Sequence, residues 1–137
     1  MIYDTTLKNP KTKEAINEEV GKSYSFFSRI RMNGIGSQRF IIEGTSVSLA
    51  GLLNEVSDLN YANFELRPRG VVVHITKGLK RYSWALPFHK LVLFYTQNFS
   101  VHGEGEFIRF RKNKNFNESL GFLRKLLFYK NIFLSQN

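Results

Sequence analysis

At 137 residues the chain is long enough to bury one core without staples, and a single domain over 1–137 is the natural reading. The absence of cysteine excludes disulfides, thiolate metal sites and cysteine nucleophiles together. The net charge of +9 is unevenly placed: residues 1–63 balance seven Lys/Arg against seven Asp/Glu, whereas residues 64–114 carry ten against three. Such a field attracts nucleic acid, anionic lipid or an acidic protein, although a solvated basic face is its plainest explanation.

Residues 1–22 are polar, with an Asn9-Pro10 turn signal and a short helical pattern over 13–20. They read as a loosely ordered or packing segment. Nothing at the start resembles a basic stretch followed by an apolar run, and the apolar run 91–95 is far below the roughly 20 residues of a membrane helix. A soluble, cytoplasmic protein without a membrane span is expected. Alternation over 24–32 predicts a first strand, Asn33-Gly34 a turn, and 39–43 a returning strand. Arg29, Arg31 and Arg39 then cluster on the exposed side of that hairpin as anion- or partner-binding candidates.

Ser46 is placed to cap a helix over about 46–59, with Leu49, Leu52, Leu53 and Val56 at i, i+3, i+4, i+7 spacing. From Phe64 to Lys112, short β-branched and aromatic runs alternate with basic turns. Arg67-Pro68-Arg69-Gly70 interrupts pairing, because proline lacks an amide donor, and leaves Arg67 and Arg69 to project as anion contacts. Val71-Val72-Val73-His74-Ile75-Thr76 is broken at Lys77-Gly78-Leu79-Lys80, and Tyr82, Trp84 and Leu86 then share one face. Lys77, Lys80, Arg81, Arg109 and Arg111 complete the basic candidate set. A helix over about 117–134 closes the chain, with Asn117 as its cap. One of its apolar stripes, Leu120, Leu123 and Leu127, suits the sheet; the other, Phe122, Leu126, Tyr129 and Phe133, needs cover and suggests a homodimer.

The expected fold is α+β: an antiparallel meander or half-open barrel of about six to seven strands with two helices. The order Arg69-Gly70-Val71-Val72-Val73, then Tyr82-Ser83-Trp84-Ala85-Leu86-Pro87, then the closing helix at 120–127 resembles the second half of small bacterial pleckstrin-homology-like domains, over about residues 64–128. The helix over 46–59 departs from that order. The resemblance implies a binding scaffold for phosphoinositides, peptides or proteins, with Lys22, Arg29, Arg31 and Arg39 as the only candidates for the lipid-binding position.

His74, His89 and His102 lack partners at metal-ligand spacing, and no cofactor or metal site is read from the sequence. No catalytic constellation is visible either, although a site assembled from distant residues would not be. The leading expectation is a non-catalytic binding module for an anionic or protein partner. Phe107, Arg109 and Arg111 on one strand face keep single-stranded nucleic acid as the alternative, and an enzyme with a scattered site is the third reading.

Overall fold

Residues 1–52, 60–112 and 114–136 are described by the computed structural model. Their architecture is α+β. Eight antiparallel strands run β1 (Ile2–Asp4), β2 (Phe40–Thr45), β3 (Tyr61–Arg67), β4 (Gly70–Lys77), β5 (Lys80–Pro87), β6 (Val92–Tyr95), β7 (Phe99–Gly103) and β8 (Glu106–Phe110). Their order in the sheet is β1-β5-β4-β3-β2-β8-β7-β6. Helices α1 (Pro10–Val20), α2 (Phe26–Arg31), α3 (Val47–Ala50), α4 (Lys114–Glu118) and α5 (Leu120–Ser135) accompany them. No described helix is long and apolar enough to cross a membrane.

Strand β2 joins the two halves of the sheet. Phe40 and Ile41 pair with β3, while Ile42, Gly44 and Thr45 pair with β8 across a register shift between Ile42 and Gly44. A bulge of this kind bends the bulged strand and increases its twist. Tight turns set the neighbouring registers: Pro68-Arg69 joins β3 to β4, and Gly78-Leu79 joins β4 to β5 with Gly78 at φ +57°.

The inner face collects Phe40, Phe64, Leu66, Val71, Val73, Trp84, Leu86, Phe99 and Phe110 beneath Phe116 and α5. Aromatic rings dominate: Phe40 lies within ring-contact distance of Phe64, Phe99, Phe110 and Phe116. A smaller cluster, Ile16, Val20, Val72 and Ala85, lies on the other face, where α1 covers β4 and β5. Both faces of β4 are therefore covered, so Val71, Val72 and Val73 are consecutively buried.

Gly70 marks the tightest approach. A β-carbon there would stand 2.2 Å from the Leu86 carbonyl oxygen and 2.8 Å from Val20 Cγ1. Gly70→Ala is expected to destabilise the fold by about 1–3 kcal/mol, as overpacking against backbone does. Equilibrium unfolding in urea measures it, and an unchanged midpoint would mean that α1 does not press on this turn.

Several local expectations are corrected. Residues 24–32 form no strand. Ser25 Oγ accepts a hydrogen bond from the Ser28 amide and starts α2, and Asn33 (φ +63°) and Gly34 (φ +94°) end it in the left-handed region. The pair Asn33-Gly34 is thus a helix terminus rather than a hairpin turn, and β2 pairs with β3 and β8 instead. The Ser46 hydroxyl makes no helix cap: it donates to Glu106 Oε2 at 2.6 Å and accepts from the Phe107 amide. Of the helix expected over 46–59, α3 covers Val47–Ala50, and Leu53 and Val56 lie outside the described residues.

The C-terminal helix starts earlier than Asn117 and breaks at buried Ser119, whose hydroxyl accepts from the Gln38 amide. Both stripes contribute to the core: Leu123 is buried and Leu120 packs on the core, as expected of the first stripe. Phe122 and Leu126 are buried, Tyr129 and Phe133 pack against the main core, and Leu127 is exposed. The residues offered for a homodimer are therefore covered by this chain's own sheet. The reason is geometric: α5 lies along the sheet so that the i, i+4, i+7, i+11 row faces inward, with Leu123 at its side. Residues 1–22, the alternative cover, pack instead on the opposite sheet face, partly as strand β1 paired with β5.

Candidate functional site

Polar side chains on the outer face of β3, β4 and β5 form a continuous line beneath the N-terminal segment. The cross-strand register sets His74 opposite Ser83, with Glu65 on the next strand one step along. His74 Nε2 lies 2.8 Å from Glu65 Oε1, and His74 Nδ1 lies 3.0 Å from Ser83 Oγ. Ser83 Oγ meets Thr5 Oγ1 at 2.8 Å. Arg67 Nε donates to Glu65 Oε2 at 2.7 Å, and its Nη1 donates to Asn17 Oδ1 and the Gly21 carbonyl.

Burial pushes the Glu65 carboxyl up, but the His74 hydrogen bond and the Arg67 charge outweigh it and hold the group at about 2. Glu65 is therefore ionised and accepts from His74 Nε2–H. His74 Nδ1 shares a hydrogen bond with the Ser83 hydroxyl, which shares another with Thr5.

This is the hydrogen-bond order of a serine–histidine–acid relay, and it is the constellation that sequence reading missed. It lacks two requirements of acyl transfer. Ser83 is 1% exposed, with Thr5 in contact with its Oγ. Its strand is also paired on both sides, by β1 and β4, so the nearby amides are held in ladders rather than aimed at a developing oxyanion. The line instead fastens the N-terminal segment to the sheet. Tyr3 adds a second fastening: its hydroxyl donates to Glu19 Oε2 at 2.6 Å, and burial together with Glu19 pushes the phenol up to about 12.

Above this line lies a cleft of about 560 Å³ between residues 5–16 and the sheet. Thr5, His74 and Ser83 form its floor; Leu7, Pro10 and Ile16 form apolar walls; Lys8, Lys13 and Arg81 stand around it.

The basic residues expected to bind a partner are dispersed. Arg67 is buried in its pair with Glu65, and Arg69 donates from Nη2 to the carbonyls of Asn17 and Glu18 near the C-terminal end of α1. Of the two arginines expected to project into solvent, Arg67 is buried and Arg69 stays exposed, and both donate to carbonyls at the end of α1, which need donors. Lys77 and Lys80 flank the β4–β5 turn, and Arg81 borders the cleft. Arg109 crosses Gly44, where a β-carbon would lie 2.6 Å from its Nη2, and Arg111 is exposed beyond β8.

Arg29 and Arg31 lie in α2 rather than on a hairpin, and Arg39 stands apart, immediately before β2. Arg29 Nε donates to the Tyr24 carbonyl, and Arg39 lies 5.7 Å from the centre of the Tyr61 ring. Between Glu19 and Glu43 the sequence has four cations, Lys22, Arg29, Arg31 and Arg39, and no acidic residue. From the middle of this segment Phe26, Phe27 and Ile30 project at 71%, 76% and 63% exposure. The Phe26 and Phe27 rings meet edge to face at 6.0 Å, so they stand as one apolar knob.

Comparison with known proteins gives no match: no family model, curated protein or solved structure matches the chain.

Proposed function

We propose that the chain is a non-catalytic binding module that docks on an anionic lipid surface through α2. The observation that carries this reading is the exposed Phe26, Phe27 and Ile30 knob within an acid-free cationic segment. Burying each large apolar side chain is worth about 1.5–3 kcal/mol, and each cation near an anionic membrane about 1 kcal/mol. Two or three insertions with several cations reach measurable affinity without any pocket. A convex knob suits a deformable interface better than it suits a groove.

The scaffold supports the same reading. A strand that pairs with both halves of an antiparallel sheet, and a helix that closes the end of the chain, fit the pleckstrin-homology-like resemblance that we propose for it.

The test is co-sedimentation with phosphatidylcholine vesicles, with and without phosphatidylserine. Binding is expected only with the anionic lipid and should weaken as salt rises. The Phe26→Ser, Phe27→Ser double variant should lose about tenfold or more in affinity while keeping its unfolding midpoint, since both rings are exposed. Equal binding by that variant would end the proposal.

One observation favours a second reading. The rings of Phe94, His102 and Phe107 lie one after another on the outer face of β6–β8, with centres 4.7 and 5.4 Å apart, and Ser100 and Arg109 share Phe94's cross-strand row. Aromatic rings beside arginines on a sheet face are the elements of single-stranded nucleic-acid binding. A steeply salt-dependent affinity for an oligonucleotide, lost in Phe94→Ala but not in the α2 variant, would move the function to that face.

A further inference from the structure

We propose that the cleft between the N-terminal segment and β4–β5 is a second, independent site, for a small organic oxyanion carried on an apolar body. Its volume, about 560 Å³, lies within the range of small-molecule sites. The charges around it have one sign. Lys8, Lys13, Arg67 and Arg81 line it, and no carboxylate does.

Arg67 is neutralised by Glu65, which leaves three cations; among the described residues, none of these three forms an ion pair. The acidic groups nearby border adjoining hollows rather than the cleft: Asp4 one shared with Lys8 and Lys80, and Glu14 and Glu18 another shared with Lys13, Lys22 and Arg69.

The walls set the rest of the ligand. Leu7 is 81% exposed at the lip, and Pro10 and Ile16 continue the apolar surface inward. An inorganic anion would leave that surface unused, so the fitting ligand has an aryl or alkyl body as well as a phosphate or carboxylate. The floor is already saturated, because Thr5, Ser83, His74 and Glu65 bond to one another. It positions the ligand by shape, while the exposed lysines and Arg81 take its charge.

The experiment uses the full chain with phenyl phosphate, benzoate, benzyl alcohol and inorganic phosphate as probes, followed by amide chemical shifts. At least one aryl anion should bind saturably at low-millimolar concentration, with shifts centred on Thr5, Lys8, Lys13, His74 and Arg81. Which of the two binds more tightly distinguishes a phosphate from a carboxylate ligand. Benzyl alcohol and inorganic phosphate should each bind at least about tenfold more weakly.

A Lys8→Glu, Lys13→Glu double variant should lose about tenfold or more while keeping its unfolding midpoint, since both side chains are exposed. The Phe26→Ser, Phe27→Ser variant should bind the aryl anion normally, which separates this site from α2. No saturable binding, equal binding of benzyl alcohol or inorganic phosphate, or full affinity in the double-lysine variant would each overturn the proposal.

Discussion

Trp84→Ala is expected to lower the unfolding free energy by about 3–5 kcal/mol, the cost of deleting a large buried aromatic side chain. Trp84 is 1% exposed, and its strand is paired on one side with Ile2 of β1 and on the other with Val73 of β4. The truncation would open a cavity between two strands that cannot close over it, since both are held in register by their own ladders. Domains of this size are stable by about 5–15 kcal/mol in all, so the variant should be marginally folded at body temperature. Urea denaturation reads the effect as a shift in midpoint at nearly constant slope. Phe94→Ala, on a half-exposed ring, is the control. A Trp84 shift no larger than that of Phe94 would place the indole at the surface.

Arg67→Met is expected to cost about 3 kcal/mol, near the lower limit for removing one partner of a buried ion pair. The methionine keeps most of the apolar stem but leaves Asn17 Oδ1, the Gly21 carbonyl and one Glu65 oxygen without their donor. The same pair predicts a pH dependence. The Glu65 pKa is lowered from 4.5 to about 2 in the folded chain. A carboxylate depressed in the fold contributes its stability in full above its unfolded value, and that contribution is lost as pH falls from there through the folded value.

Wild-type stability should therefore decline between about pH 5 and pH 2 by about 3 kcal/mol on account of Glu65 alone. Glu65→Gln should flatten this limb. In Arg67→Met the limb should begin at higher pH, because His74 alone then opposes the desolvation of Glu65. Denaturant midpoints measured across that range provide the check. An acid limb of the same size in Glu65→Gln would show that other carboxylates produce it.

The relay that binds the N-terminal segment was legible in part. The two-residue turn Gly78-Leu79 pairs Lys77 with Lys80 and, counting outward, His74 with Ser83. The turn Pro68-Arg69 sets Asn63 opposite His74 and Glu65 opposite Val72, so Glu65 reaches His74 diagonally on the same face. Only the Gly78-Leu79 break reads as a turn between paired strands; Pro68-Arg69 is expected to interrupt pairing, yet Arg67 pairs with Gly70 across it. What no local pattern carried was the arrival of Thr5 and Asn17 over that face. Their segment is short and polar, and it packs there through Ile16 and Val20 against Val72 and Ala85.

The α2 knob failed for a different reason. Tyr24, Phe26, Ile30 and Met32 satisfy a period of two, but among the described residues no strand pairs with this segment, and the Ser25 cap makes a helical turn the better local solution. Short apolar runs do not distinguish the two periods by themselves.

The sequence alone determined the α+β class, the hairpin of β4 and β5, the buried face of Tyr82, Trp84 and Leu86, and the excess positive charge. These follow from alternation, turn chemistry and composition, all of which act over a few residues. Tertiary structure decided which residues of α5 face inward, which arginines are free, and where residues 1–22 lie. Those outcomes depend on competition among distant surfaces for the same contacts. Arg67 and Arg69 look alike beside Pro68, yet Arg67 is buried against Glu65 and the Gly21 carbonyl, whereas Arg69 stays exposed while donating to the Asn17 and Glu18 carbonyls. Phe26 and Phe122 are both phenylalanines on helices, but only Phe122 has a sheet beneath it, and Phe26 therefore remains exposed.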